Sequence, residues 1–291
     1  MSYLCVMKRL ASIILAAALA AGCAADRSAD TDGTIYVTIA PLAEIVHAIT
    51  GDDFPVEVLV PAGASPETFE PTPRQFIALN RAQFILSTGL IDFENSLVSR
   101  VDNPEKVVDL SCGIELIEGT CSHVHEGHHH AHAHGADPHV WTAPRELATM
   151  ARNAFEAIMA RYPDSVKYEI RYDAYADKLR QLDEECAAAC AASARKCFVV
   201  FHPALTYFAR DYGMEQIAVE HDGKEPAAKH LGEVIERARE NGVCRVFYQS
   251  QFPKSSVEII ADDIGAECVE FDPLAPALSD NIREITRLIT E

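Results

Sequence analysis

Basic residues are scarce in this chain. Its 291 residues include 25 Lys and Arg against 44 Asp and Glu, a formal charge of −19. That deficit argues against a nucleic-acid partner, which demands a positive surface for the phosphates. It is compatible with attracting cations, although much of the charge is a solvated surface. No Cys-x-x-Cys pair occurs, so a thiolate zinc knuckle is not expected. Neither a His-Glu-x-x-His helix nor a Gly-x-Ser-x-Gly elbow is present, and the common signs of a hydrolase are therefore missing. Beyond Cys23 there is no second long apolar run, so the remainder is expected to be soluble.

What is present begins with a targeting segment. Lys8 and Arg9 precede the apolar run Leu10 to Ala21, which is short for a membrane span. The residues before Met7 add nothing to such a signal. Leu19-Ala20-Ala21-Gly22-Cys23 resembles the lipobox of bacterial lipoproteins, which makes residues 1–22 a signal peptide and Cys23 the lipidated first residue. Residues 23–33 then read as a small, polar tether. An exported chain can form disulfides, and Cys112–Cys121 and Cys244–Cys268 are candidate pairs. Seven cysteines follow Cys23, so at least one stays unpaired or pairs between molecules.

The remaining 260 or so residues suffice for two modest lobes. Strand-like runs at 34–39, 56–60, 83–87 and 106–110 alternate with helical ones, and Thr72-Pro73 supplies an N-cap and a first helical residue. Helices are expected from Pro144 to Tyr162 and from Pro163 to about Ser193. The alternation resumes at 197–201, 216–219, 243–249 and 267–271. Strands separated by single helices imply parallel βαβ units. The expected fold is therefore α/β: lobes at 34–162 and 194–291, each a parallel sheet flanked by helices, joined by a long rigid helix at 163–193.

Between Ser122 and Gly135 lie His123, His125, His128, His129, His130, His132 and His134, seven of the chain's twelve histidines. The tract has almost nothing apolar to bury and cannot form a core. Neutral imidazole binds zinc and similar metals, so 122–135 reads as an accessory metal-collecting loop.

In open parallel sheets, ligands bind beyond the carboxyl ends of the strands. The polar residues placed there include Glu67, His139, His202, Gln249 and Asp272. Two imidazoles and two carboxylates, shared equally between the lobes, would suit a divalent metal such as zinc. Each has a plainer role open to it. Glu67 fits a solvated loop acid, His139 a histidine packed on Trp141, and His202 a helix cap. Asp272 fits a turn residue or an acceptor that orients a ligating histidine.

The run Pro61-Ala62-Gly63-Ala64-Ser65-Pro66-Glu67-Thr68-Phe69-Glu70-Pro71-Thr72-Pro73 resembles a signature of the zinc- and manganese-binding solute-binding lipoproteins of metal ABC importers, the ZnuA-like and TroA-like family. Asp137-Pro138-His139-Val140-Trp141, then Phe201-His202-Pro203-Ala204 with Tyr207-Phe208, and then Phe271-Asp272-Pro273-Leu274 resemble its other blocks in order. A histidine-rich loop before the second block is typical of the zinc branch. The resemblance implies a monomeric, membrane-anchored lipoprotein facing the periplasm or cell exterior. It would capture Zn²⁺ in an interlobe cleft through Glu67, His139, His202 and Asp272, and deliver it to an ABC permease and ATPase. The family usually has histidine where this chain has Glu67, a harder, anionic ligand that keeps Mn²⁺ as the alternative cargo. A metal-binding adhesin and, last, a zinc hydrolase are the competing functions.

Overall fold

The computed structural model describes residues 33–118, 135–220, 227–252 and 254–291. The expected signal peptide, Cys23 and all seven tract histidines lie outside these residues. Two sheets of four parallel strands are present. The first contains β1 (Ile35–Val37), β2 (Val56–Val58), β3 (Phe84–Ser87) and β4 (Val107–Asp109), in the order β2-β1-β3-β4. The second contains β5 (Cys197–Val200), β6 (Glu215–Ala218), β7 (Arg245–Tyr248) and β8 (Glu267–Glu270), in the equivalent order β6-β5-β7-β8. Each order reverses beside its first strand, and such switch points open a crevice at the strand ends.

Helices cover the sheets: α1 (Leu42–Thr50), α2 (Pro73–Arg81) and α3 (Asp92–Arg100) with the first, and α6 (Thr206–Tyr212), α7 (Ala228–Glu240), α8 (Ser255–Ile264) and α9 (Leu278–Thr290) with the second. α4 (Pro144–Arg161) and α5 (Val166–Ala192) run between them. Local chemistry sets the ends. Thr72 caps α2 through a reciprocal pair: Gln75 N–H donates to Thr72 Oγ1 and Thr72 N–H to Gln75 Oε1. α5 begins at Val166, three residues later than expected, because Tyr162 to Ser165 forms a turn in which Ser165 N–H reaches Tyr162 O. Its 27 residues span about 40 Å at 1.5 Å each. Tyr168, Tyr175, Leu179, Leu182, Cys186 and Cys190 form its buried stripe at helical spacing.

β5 is buried on both faces, as expected of an interior parallel strand. Phe198 and Val200 join one continuous apolar core that runs through α9, α5, α4 and α1 to the first sheet. Cys197 and Val199 point the other way, into a smaller core under α7 and α8. Gly89, after β3, has φ 71°, and a Cβ there would sit 2.6 Å from the Asp109 carboxylate, so any other residue would strain the backbone and force Asp109 to shift. Cys244 and Cys268 are free thiols. Cys268 stands opposite Val246 in the β7–β8 ladder, which leaves Cys244 two residues out of register. Cys121, the candidate partner of Cys112, lies outside the described residues. No described helix is long and apolar enough to cross a membrane.

Candidate metal centre

Three of the four expected ligands meet where the strand ends of the two sheets face each other. His202 lies two residues past the end of β5 and is almost completely buried at 5% exposure. Gln249, past β7, fixes its backbone in both directions. His202 N–H donates to Gln249 Oε1 at 3.3 Å, and Gln249 Nε2 donates to His202 O at 2.8 Å. The Phe252 ring stacks on the imidazole at 5.5 Å and 20°.

His139 opens the single helical turn Val140–Thr142 and is 8% exposed. Asp137 Oδ1 accepts from both its backbone N–H at 2.9 Å and its Nδ1 at 2.8 Å. The next residues tie this turn to the second sheet. Trp141 Nε1 donates to Pro273 O at 2.8 Å, and the Thr142 hydroxyl lies 2.9 Å from Ala204 O.

Glu67 sits in the turn Pro66–Thr68 between β2 and α2, with its side chain 37% exposed. Gln75 Nε2 donates to Leu59 O and so closes the base of that loop.

The geometry is set by what holds the outer nitrogens. Glu220 Oε2 lies 2.7 Å from His202 Nδ1, as Asp137 lies against His139 Nδ1. Each imidazole therefore turns its Nε2 inward. These two nitrogens are 3.3 Å apart, and Glu67 Oε1 is 3.0 Å from His202 Nε2. One donor atom from each of the three residues lies within 4.8 Å of the others. Donors about 2.0–2.1 Å from a tetrahedral zinc lie about 3.4 Å from each other. The donor set thus fits a borderline divalent ion.

Without an ion, the arrangement favours a proton. Burial alone would lower the His202 pKa. The hydrogen bonds to Glu220 and Glu67, with their charges, outweigh it and push the imidazole up to about 9. For Asp137, burial works upward, but His139 and Thr206 hold the carboxyl below its ordinary value.

Asp272 does not join the group. It is exposed, its Oδ1 accepts from Leu274 N–H at 2.9 Å, and its carbonyl accepts from Asn281 Nδ2. It behaves as a turn residue ahead of Pro273, and the end of β8 reaches the cleft through Pro273 and Leu274 instead. Sequence reasoning did not single out Glu220, although it lies two residues past β6, where the strand-end rule would have found it. Asp137 was visible only as part of a motif. The seven-histidine tract is bracketed by described residues: Glu118 and Ala136 form an antiparallel bridge, and Asp137 N–H donates to Ile117 O at 2.9 Å.

Comparison with known proteins adds a finding to this geometry. Residues 35–288 match the model of the ZnuA family, described as zinc-uptake complex component A, periplasmic. The zinc-binding lipoprotein AdcA of Streptococcus pneumoniae (strain ATCC BAA-255 / R6) is 26% identical over 282 residues, covering 92% of this chain and 56% of that protein. The chain therefore spans about half the length of the AdcA relatives it matches. The high-affinity zinc uptake system protein ZnuA of Bacillus subtilis (strain 168) is 27% identical over 252 residues, covering 82% of this chain and 79% of that one. A crystal structure of ZnuA superposes with a TM-score of 0.79 at 34% identity, covering 88% of this chain and 97% of the other. A ZnuA deletion mutant with zinc bound gives 0.78 at 33% identity, with 88% and 96% covered.

Proposed function

The chain belongs to the ZnuA family of zinc-uptake proteins, and from that premise we propose that it is an extracytoplasmic carrier that holds one Zn²⁺ ion through Glu67, His139 and His202. One observation supports this ligand set above all: two buried imidazoles and a carboxylate, on three segments distant in sequence, converge with one potential donor atom each at ligand spacing. The buried carboxylates Asp137 and Glu220 each serve a ligating ring. Neither is left to act as a base on metal-bound water, which favours a carrier over a hydrolase. The ion is then cargo, passed to an ABC-type permease with its ATPase. Residues 34–162 and 194–291 act as two lobes on the 163–193 connector, and lipid on Cys23 anchors a monomer at the outer face of a membrane. The histidine tract collects metal as an accessory. A Mn²⁺-preferring carrier is the second reading, favoured by the hard carboxylate of Glu67 where the family usually has imidazole.

Competitive Zn²⁺ titration of the protein lacking residues 1–22 tests the proposal. The wild type should hold one tightly bound ion. His139→Ala or His202→Ala should weaken that site by about 100-fold or more, since each removes one of only about four bonds to the metal. Wild-type affinity in either variant would refute the assignment.

A further inference from the structure

His139 and His202 lie 63 residues apart on different segments, yet their Nε2 atoms meet at 3.3 Å. Something must set one ring in register with the other. α6 is placed to do this, because it starts four residues after His202 and its first two side chains reach across to Asp137. The Tyr207 hydroxyl donates to Asp137 O at 2.8 Å and accepts from Ile117 N–H at 3.3 Å. The Thr206 side chain lies beside the carboxylate of the same Asp137 and helps hold it ionised, while its hydroxyl donates to Pro203 O at 3.3 Å. That carboxylate holds His139 by both its backbone N–H and its ring Nδ1.

The Tyr207 ring is completely buried, and the Arg210 guanidinium lies over it at 5.1 Å. Arg210 Nη1 also donates to Glu115 O, so the strap leading to Ile117 is held at a second point. Burial, the leading cause, pushes the Tyr207 phenol up to about 12, which keeps its hydrogen in place for donation at ordinary pH. A phenylalanine would fill the same ring volume. Packing therefore explains the ring, and it leaves the hydroxyl to be explained.

We propose that Tyr207 is a positioning residue for metal capture: from the helix that follows His202, its hydroxyl fixes Asp137, and through Asp137 it fixes the orientation of His139. The two imidazoles are then set at ligand distance by one short element, which follows the first and clamps the holder of the second. This rests on the proposal that His139 and His202 bind the ion. Outer hydrogen bonds of this kind orient a ligating imidazole, and their loss typically weakens metal affinity by about 10–100-fold.

The test uses Zn²⁺ competition titration, with Co²⁺ in place of Zn²⁺ for visible spectra, on the protein lacking residues 1–22. Four variants are compared with wild type: Tyr207→Phe, Asp137→Asn, the double variant, and Thr206→Val. Tyr212→Phe serves as control, because it removes a hydroxyl of the same helix that bonds Asp183 instead. The expected result is that Tyr207→Phe weakens Zn²⁺ binding about tenfold and shifts the Co²⁺ bands. The double variant should lose no more than Asp137→Asn alone, because the hydroxyl acts through that residue. Thr206→Val should weaken binding as well, and it carries the test should Tyr207→Phe fail to fold. Tyr212→Phe should leave affinity and spectrum unchanged. Wild-type affinity in Tyr207→Phe, or additive losses in the double variant, would overturn the proposal while leaving the carrier reading intact. A wild type that takes up no Zn²⁺ would overturn both.

Discussion

At the scale of single residues, the centre is two imidazoles aimed by two buried carboxylates. His202 has Glu220 at Nδ1 and Glu67 at Nε2, so in the metal-free protein both ring nitrogens face acceptors and the ring holds its proton up to about 9. A metal ion must displace the proton from Nε2. Zn²⁺ affinity should therefore rise with pH by about tenfold per unit until it levels off near the His202 pKa. Glu220→Gln should weaken Zn²⁺ binding by about 10–100-fold and move that levelling to lower pH, because the main contact raising the pKa is gone. Competition titrations from pH 6 to 9.5 measure both effects, and identical profiles in the two proteins would contradict them. The strand-end rule put Glu67, His139 and His202 among the candidates, and the family resemblance singled them out as a ligand set; the structure brings these three together. The same rule misplaced Asp272, whose side chain turns back onto Leu274 N–H. A strand end fixes where a residue starts and says nothing about which way its side chain points.

At the scale of elements, the sequence shows boundaries wherever a short-range signal sets them. The Thr72 cap of α2 falls where expected, and the left-handed Gly213 and Gly265 that end α6 and α8 are equally local signals. Contacts between elements are not local. α4 and α6 meet through a buried cluster in which Arg210 pairs with both Glu146 and Asp211. Glu146 Oε2 and Asp211 Oδ2 are left buried with no donor among the described residues. One proton shared by the two carboxyls would satisfy both, and that is the arrangement we propose. Burial, followed by the hydrogen bond and charge of Asp211, pushes the Glu146 carboxyl well above its ordinary value. A carboxyl raised on folding stabilises fully below its unfolded pKa, and that contribution is lost as pH rises through the folded value. Gln at 146 supplies an N–H that does not titrate. From pH 5 to 8 the melting temperature of zinc-free Glu146→Gln should therefore gain on wild type by about 2 °C or more. Parallel curves would show that the pair does not share a proton.

At the scale of the whole molecule, the parallel α/β class and the connecting helix were legible because periodicity survives without tertiary context. The joining of the sheets was not, because it depends on side chains far apart in sequence. Glu44 of α1 accepts from Tyr175 of α5 and from the backbone and hydroxyl of Ser279 at the start of α9. One apolar core runs from the first sheet through α5 to the second. Trp141 and Thr142 add hydrogen bonds across the same boundary beside the centre. With His139 and His202 locked by these contacts, Glu67 is the most exposed member of the donor set. These three side chains are proposed to hold the ion. Diffraction at the zinc absorption edge, from crystals of the protein loaded with one equivalent of Zn²⁺, tests this most directly. One anomalous peak is expected about 2.0–2.2 Å from Nε2 of His139, Nε2 of His202 and a carboxylate oxygen of Glu67. A peak held by the histidine tract, or by Asp272 with Glu67 turned away, would contradict it.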